Sequence, residues 1–224
     1  MEKKYAPLFT PWKIGNVEIK NRIVMCPMGG TSLFGWMERN HFDRESADFF
    51  IDKAKNNVGL IIPGIAPLRD TMFGRWLYQN KKMFRELKEY MKEIHKYGAK
   101  LFVQLTAGFG RSFAITNPLV PFLKNKFLGA LIKPVIDISY ICASPSEITS
   151  RWAENVKCRA LTSKEIKQII YAYAETSRLL KEAGVDGVEV HAVHEGYLLD
   201  QFTLKYTNHR TDEYGGSFEN RYRL

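Results

Sequence analysis

The feature that most constrains the fold of this chain is an alternation of short apolar runs with longer amphipathic segments. The runs are rich in Val, Ile and Leu, and they cover residues 22–25, 58–62, 100–105 and 185–190. Continuous apolar runs of this kind are typical of parallel strands that are buried on both faces. We therefore predict a parallel sheet.

Helices are predicted between these strands. Residues 43–57 and 83–97 place apolar side chains at helical spacing, and Gly98 gives the second segment a stop signal. Thr162 is a suitable N-cap for a third helix, because Glu165 follows three residues later and completes a capping box. Gly184 closes that helix. Strands alternating with helices indicate an α/β fold with a parallel sheet.

Two architectures fit this alternation, a doubly wound sheet and a closed barrel. A dinucleotide-binding doubly wound domain carries a G-x-G-x-x-G turn directly after its first strand, whereas residues 27–30 here read PMGG. The sequence therefore favours a (β/α)8 TIM barrel, of which residues 1–224 supply the N-terminal part, about four of the eight βα units. Because Leu224 falls in the helix expected after strand four, we expect an incomplete and inactive fragment, whose open strand edges favour a homo-oligomer.

One connection is much longer than a barrel needs. Residues 112–160, after the third strand, show no clear periodicity, whereas βα loops usually have about 2–6 residues. This segment is apolar and basic, with Phe122, Phe127 and Trp152 among its members. A lid or substrate wall is one interpretation, and an interface or a decorative insertion is the other.

Charge and cysteine content exclude several classes of function. The formal net charge of +9 comes from residues spread along amphipathic segments, which predicts solvated faces and no nucleic-acid partner.

No apolar run is long enough for a membrane span, and the N-terminus does not read as a secretory signal, so we expect a cytoplasmic protein. The cysteines Cys26, Cys142 and Cys158 lack C-x2-C spacing, which argues against a zinc site or a disulfide framework.

Candidate site residues follow the ends of the predicted strands, where the active sites of TIM barrels lie. Small residues there would let a flat ligand approach the backbone, and the Gln104 amide can hydrogen-bond the edge of a heteroaromatic ring. His and Tyr side chains can donate to an oxygen and supply a proton. A metal is not predicted. The strand-end residues that we select are Cys26, Pro27, Met28, Gly29, Gly64, Gln104, His191, His194 and Tyr197.

Five longer segments of the chain form a recognisable set: LFTP at 8–11, KNRIVMCPM at 20–28, FVQL at 102–105, GVEVHAVHEGYLLDQF at 187–202 and NHRTDEYGGS at 208–217. Together these segments resemble the old yellow enzyme superfamily of NADH:flavin oxidoreductases. The likeness extends over the whole chain apart from the long insertion. The extra Glu195 before Gly196-Tyr197 is similar to the 2-enoate reductase and 2,4-dienoyl-CoA reductase branch.

The resemblance implies FMN as the bound cofactor and NAD(P)H as its reductant. It implies that the strand-end residues 26–29, Gly64 and Gln104 hold the flavin, and that Arg210 contacts the substrate. Tyr197 would protonate the α-carbon of an activated alkene, while His191 and His194 would stabilise the developing enolate oxygen. Full-length relatives in this branch would also carry a 4Fe-4S cluster and FAD, in regions absent from residues 1–224.

Two questions stay open at this stage. Counted back from Gly196-Tyr197, the oxygen-binding pair would fall on Ala192 and Glu195 instead of His191 and His194; Ala192 has no donor, so the chemistry favours the histidines. The alternative function is a non-catalytic half-barrel module that needs a partner in trans. The alkene could be an enoate, a dienoyl-CoA, a steroid or a tetrapyrrole.

Overall fold

In the computed structural model, which describes residues 3–35, 37–194 and 196–224, short strands alternate with helices. The strands are β1 Trp12–Ile14, β2 Val17–Ile19, β3 Val24–Met25, β4 Leu60–Ile61, β5 Ala66–Pro67, β6 Lys100–Thr106, β7 Ile148–Thr149, β8 Lys157–Cys158 and β9 Gly187–Val190. The helices are α1 Arg44–Lys55, α2 Lys81–Lys96, α3 Val120–Lys124, α4 Lys126–Ile132, α5 Ile138–Ile141, α6 Ser163–Glu182, α7 Leu198–Thr203 and α8 Phe218–Arg221. Short 3-10 turns cover Lys3–Phe9, Leu77–Gln79, Gly110–Ser112 and Asn117–Leu119.

The central sheet is parallel, and its main strands pair in chain order. β3 pairs with β4, β4 with β6, and β6 with β9, while β5 extends the β4 side along the end of β6. A dinucleotide-binding doubly wound sheet reverses its strand order at a switch point, whereas consecutive neighbours are the arrangement of a βα barrel. The predicted α/β barrel class is confirmed, with strands somewhat shorter than the apolar runs.

The predicted helices form with small shifts at their ends. α1 begins after the N-cap Asp43, and α6 has the predicted capping box between Thr162 and Glu165. α2 begins earlier than predicted because Asn80 serves as its N-cap and accepts a hydrogen bond from the Met83 amide. Propensity alone did not reveal this cap, since the apolar periodicity begins only at Met83.

The two faces of the sheet have different surroundings. Leu101, Val103 and Leu105 pack in the large core with the apolar sides of α1, α2 and α6. On the opposite face, Phe102 packs with Leu60, Ile62 and the β2 residue Ile19 in a smaller cluster. Strand residues alternate between faces, so Gln104 shares the face of Phe102, which corresponds to the interior of a barrel.

The N-terminal hairpin of β1 and β2 was not predicted. Its strands pair antiparallel, with Trp12 opposite Ile19 and Ile14 opposite Val17. Gly15 in the connection has a φ of 57°, a left-handed conformation that glycine adopts without steric cost. The hairpin covers the amino-terminal end of the interior face through the Ile19 contacts.

Residues 112–160 are more regular than predicted. They contain the short helices α3, α4 and α5 and the antiparallel pair of β7 and β8. Phe113, Ile138 and Val156 form a separate apolar cluster together with Cys142 and Cys158. Burial raises the pKa of the Cys142 thiol well above its ordinary range, and a buried thiol of this kind is unreactive.

No helix in the described part of the chain has both the length and the apolar character required to cross a bilayer.

Candidate active site

Most of the predicted site residues meet in one pocket at the carboxyl ends of the strands. The loop after β3 supplies Pro27, Met28 and Gly29, and β6 supplies Gln104 from the interior face. The segment after β9 supplies His191, His194 and Tyr197 to the same pocket, which has a volume of about 270 Å³. Parallel strands bring these loops together because their carboxyl ends share one edge of the sheet.

His191, His194 and Tyr197 form a triangle of rings. The ring centroids of the two histidines lie 5.4 Å apart, and each lies 5.2 Å from the centroid of Tyr197. His191 is buried, His194 is exposed and Tyr197 is half-buried. The predicted pair of histidines and the predicted acid therefore lie together, whereas Ala192 is exposed and absent from the pocket lining. Glu195 lies outside the described residues.

The environment of His191 lowers its pKa and so favours the neutral imidazole. Burial lowers the pKa of His191, with a further lowering from His194 that outweighs the opposing influence of Asp200. Nδ1 of His191 is buried and has no hydrogen-bond partner among the described residues. A neutral imidazole carries one N–H donor and one acceptor. Since an unpaired buried polar atom is costly, this ring is suited to a ligand atom.

The loop that carries His194 is fixed by Asp200 and Gln201 of α7. The Asp200 carboxylate accepts hydrogen bonds of 2.9 Å from the amides of His194 and Gly196. Gln201 is almost fully buried and donates to the carbonyl oxygens of Gly196 and Phe109. Sequence analysis gave neither residue a role. The one signal in the sequence was Asp200 itself, an acidic residue in the first turn of the helix that follows the strand-end motif.

Gln104 has a carboxylate neighbour on the next strand. In the β6–β9 register Gln104 lies opposite Glu189, and its Nε2 donates to the Glu189 carboxylate over 2.5 Å. Gly187 makes room on this face, because a Cβ there would lie 2.6 Å from the Phe102 ring. The contact fixes the orientation of the Gln104 amide, and Glu189 was not predicted as part of the site.

Gly64 supports the loop that lines the pocket and is not itself among the lining residues. Its amide donates to the Thr31 carbonyl over 3.1 Å, and a Cβ at this position would collide with the carbonyl oxygen of Met28. Gly64 therefore lets the loop after β3 lie close against the end of β4, and it is Ile65 that lines the pocket. Cys26 is exposed and is not among the lining residues, so its predicted contact with the cofactor stays a prediction.

Arg210 lies in a different setting from the one predicted. Its guanidinium pairs with the Asp212 carboxylate and donates to the carbonyl oxygens of Pro145 and Leu161. A longer contact of 3.4 Å reaches the Ser163 hydroxyl. A guanidinium has five N–H donors, and these contacts use all of them. The structure therefore makes Arg210 a structural link between residues 145–163 and the chain after α7, and leaves it no donor for a substrate.

A model of the NADH:flavin oxidoreductase / NADH oxidase family matches residues 7–224. The chain belongs to this family. The likeness to the old yellow enzyme superfamily that the motifs predicted is thereby confirmed.

Individual relatives of the family agree with this assignment. The chain is 39% identical to a cinnamate reductase of Clostridium sporogenes over 100% of its own length and 31% of that protein. It is 34% identical to an NADPH dehydrogenase of Bacillus velezensis, over 97% of this chain and 57% of the relative. The crystal structure of the Old Yellow Enzyme from Pichia sp. AKU4542 superposes with a TM-score of 0.73 at 29% identity, over 97% of this chain and 53% of that one. The chain thus spans about a third to just over half of the length of these relatives.

The described residues of the pocket fit the FMN that this family binds. Pro27, Met28 and Gly29 line the pocket, and a Cβ at Gly29 would meet open space. The Gln104 amide, which donates one N–H to Glu189, offers its other N–H and its oxygen to a ligand. A flat heteroaromatic ring flanked by a polar end matches this set of groups.

Proposed function

We propose that the protein carrying this chain is an FMN-dependent reductase that uses NAD(P)H to reduce an activated carbon–carbon double bond. The observation that carries the proposal is the convergence of His191, His194 and Tyr197 on the pocket that Gln104 lines. The family and the relatives are oxidoreductases, and one relative is a cinnamate reductase. An α,β-unsaturated acid or its thioester is the substrate class that we infer.

The two histidines bind the oxygen of the activating carbonyl or carboxyl group. Each supplies one N–H donor, and His191 does so as a neutral ring because its pKa is lowered. Their hydrogen bonds strengthen as negative charge develops on that oxygen during the reaction. The Asp200 contacts hold the His194 segment in place for this task.

Tyr197 completes the reduction as the general acid. When bound, FMN would supply the hydride to the β-carbon, having received it from NAD(P)H. The Tyr197 hydroxyl then gives its proton to the α-carbon, and solvent returns a proton to the tyrosine. One hydride and one proton thus convert the double bond to a single bond.

An anaerobic flavin titration tests this function. The whole protein that carries this chain, once purified, is expected to show the visible absorption of oxidised flavin, to lose it with NADH or NADPH, and to regain it when an unsaturated acid such as trans-cinnamate is added. Protein that never carries flavin would contradict the proposal and favour the non-catalytic half-barrel. The cytoplasmic location, the homo-oligomer, and the 4Fe-4S and FAD groups of full-length relatives stay predictions.

A further inference from the structure

A second pocket shares Tyr197 with the candidate active site. Residues of the 112–160 insertion, Phe113 and Trp152 among them, line it together with Phe109 and Met37. Its volume of about 360 Å³ lies within the range of small-ligand pockets, about 300–1,000 Å³. Because Tyr197 lines both pockets, this second pocket lies next to the proposed proton donor.

Four of the eight described residues that line this pocket are aromatic. The Phe109 ring meets the Tyr197 ring edge-on at 4.8 Å between centroids, and the Phe113 ring lies 5.9 Å from that of Phe109. The Ser112 hydroxyl on this wall donates to the Gly196 carbonyl. Ring faces and edges favour a flat apolar group, because offset and edge-to-face contacts add to the gain from burial.

Trp152 is held in place although its side chain is exposed. It is 57% accessible, yet its indole N–H donates to the Ser112 carbonyl over 3.0 Å. The Arg151 guanidinium lies 4.8 Å from the centre of the same ring, and the Arg151 amide donates to the Arg111 carbonyl. Trp152 is not an isolated exposed side chain, because it lines one pocket together with Phe109 and Phe113, and contiguous apolar surface of this kind marks binding grooves.

We propose that this pocket binds a flat aromatic substituent of the alkene, so that the preferred substrates are unsaturated acids or thioesters that carry an aryl group. The proposal rests on the function proposed above, and it assigns the 112–160 insertion a role as a substrate wall. Trp152, Phe113 and Phe109 are the specificity-determining residues.

A pair of unsaturated acids tests the proposal on the FMN-loaded protein. trans-Cinnamate and crotonate share the acid and the double bond, and they differ in a phenyl or methyl group on the β-carbon. Trp152→Ala is expected to lower kcat/KM for cinnamate by about tenfold, as pocket contacts to an apolar group do, and to change that for crotonate less than twofold. Trp152→Phe should restore most of the loss. Phe127→Ala, an exposed aromatic of the same insertion that does not line the pocket, is the control and should change neither substrate.

Calorimetry on the oxidised protein without reductant separates this inference from the proposed function. Cinnamate should bind more tightly than crotonate, and Trp152→Ala should reduce the difference by about tenfold. If the protein binds cinnamate more tightly than crotonate but reduces no alkene, the aryl pocket is supported and the proposed reaction is wrong. Equal binding of the two acids by the unaltered protein, or an equal loss for both in Trp152→Ala, would overturn the aryl pocket.

Discussion

The two ends of the central sheet differ in how completely their polar side chains are hydrogen-bonded. At the amino-terminal end, the Asp186 carboxylate accepts hydrogen bonds from His95, Lys100 and the Leu101 amide, each within 3.0 Å. At the carboxyl-terminal end, Nδ1 of the buried His191 has no partner in the described chain. A fully paired group contributes to stability, whereas a buried group without a partner costs stability and is retained where a ligand completes it.

The largest expected effect is at the carboxyl end. Replacing Tyr197 with Phe removes the proposed proton donor and keeps the ring that packs against Phe109, so alkene reduction should slow by about 10²–10⁴-fold. Steady-state turnover of an unsaturated acid measures this. Tyr206→Phe is the matched control, because Tyr206 is exposed and lines neither pocket. Equal rates in both variants would remove Tyr197 from the chemistry.

A pair of histidine variants compares the two ends directly. His191→Gln weakens the stabilisation of the developing oxyanion, and we expect alkene reduction to fall by about 10²–10³-fold, the usual effect of losing one such donor. His95→Gln changes the histidine at the amino end and should leave the rate within about twofold. Comparable losses of activity in the two variants would contradict the assignment of the reaction to the carboxyl end alone.

Substitutions at the amino-terminal end should lower stability and leave activity unchanged, the reverse of the expectation for the carboxyl-terminal end. Asp186→Ala leaves the Leu101 amide, the His95 ring and the Lys100 ammonium group without their acceptor, so we expect the free energy of unfolding to fall by about 1.5–3 kcal/mol. Denaturant unfolding measures the loss, and flavin content and turnover should be unchanged. Asp186→Asn keeps one carbonyl acceptor and is expected to lose less. If Asp186→Ala instead lowered turnover of the folded protein, the amino end would have a functional role.

A smaller effect is expected at Gln104. Gln104→Ala removes the amide that we propose contacts the flavin, and FMN affinity should weaken by about tenfold, the worth of one or two hydrogen bonds. Fluorescence titration of FMN into apoprotein measures this. Gln168→Ala, on α6, serves as the control because Gln168 donates to Tyr78 outside the pocket. Unchanged affinity and flavin potential in Gln104→Ala would exclude the contact.

The smallest prediction concerns pH. The pKa of His191 is lowered in the folded state, so the unfolded chain takes up a proton first as pH falls below the ordinary value of about 6.5. Stability therefore decreases with acidification through this window and is unaffected above it. The unaltered protein should lose more stability than His191→Gln between about pH 7.5 and about pH 5.5. Identical losses in equilibrium unfolding would contradict the lowered pKa.

The sequence predicted those features of the fold that depend on residues close together in the chain. The parallel strands and the cap of α6 at Thr162 follow from apolar periodicity and side-chain hydrogen bonding, which are local properties. The partners of Gln104 and His194 could not be predicted, because Glu189 and Asp200 reach them through strand register and loop geometry. Arg210 shows the converse, since a motif position alone did not reveal that residues 145 and 161 occupy its donors.

Stopped-flow measurement of the separate half-reactions in Tyr197→Phe tests the central claim most directly. The account predicts that NAD(P)H reduces the bound flavin at the unaltered rate, because that step needs no proton from Tyr197. Reoxidation of the flavin by an unsaturated acid should slow by about 10²–10⁴-fold. Equal slowing of both half-reactions would make Tyr197 a structural residue, and no slowing of reoxidation would place the proton donor elsewhere.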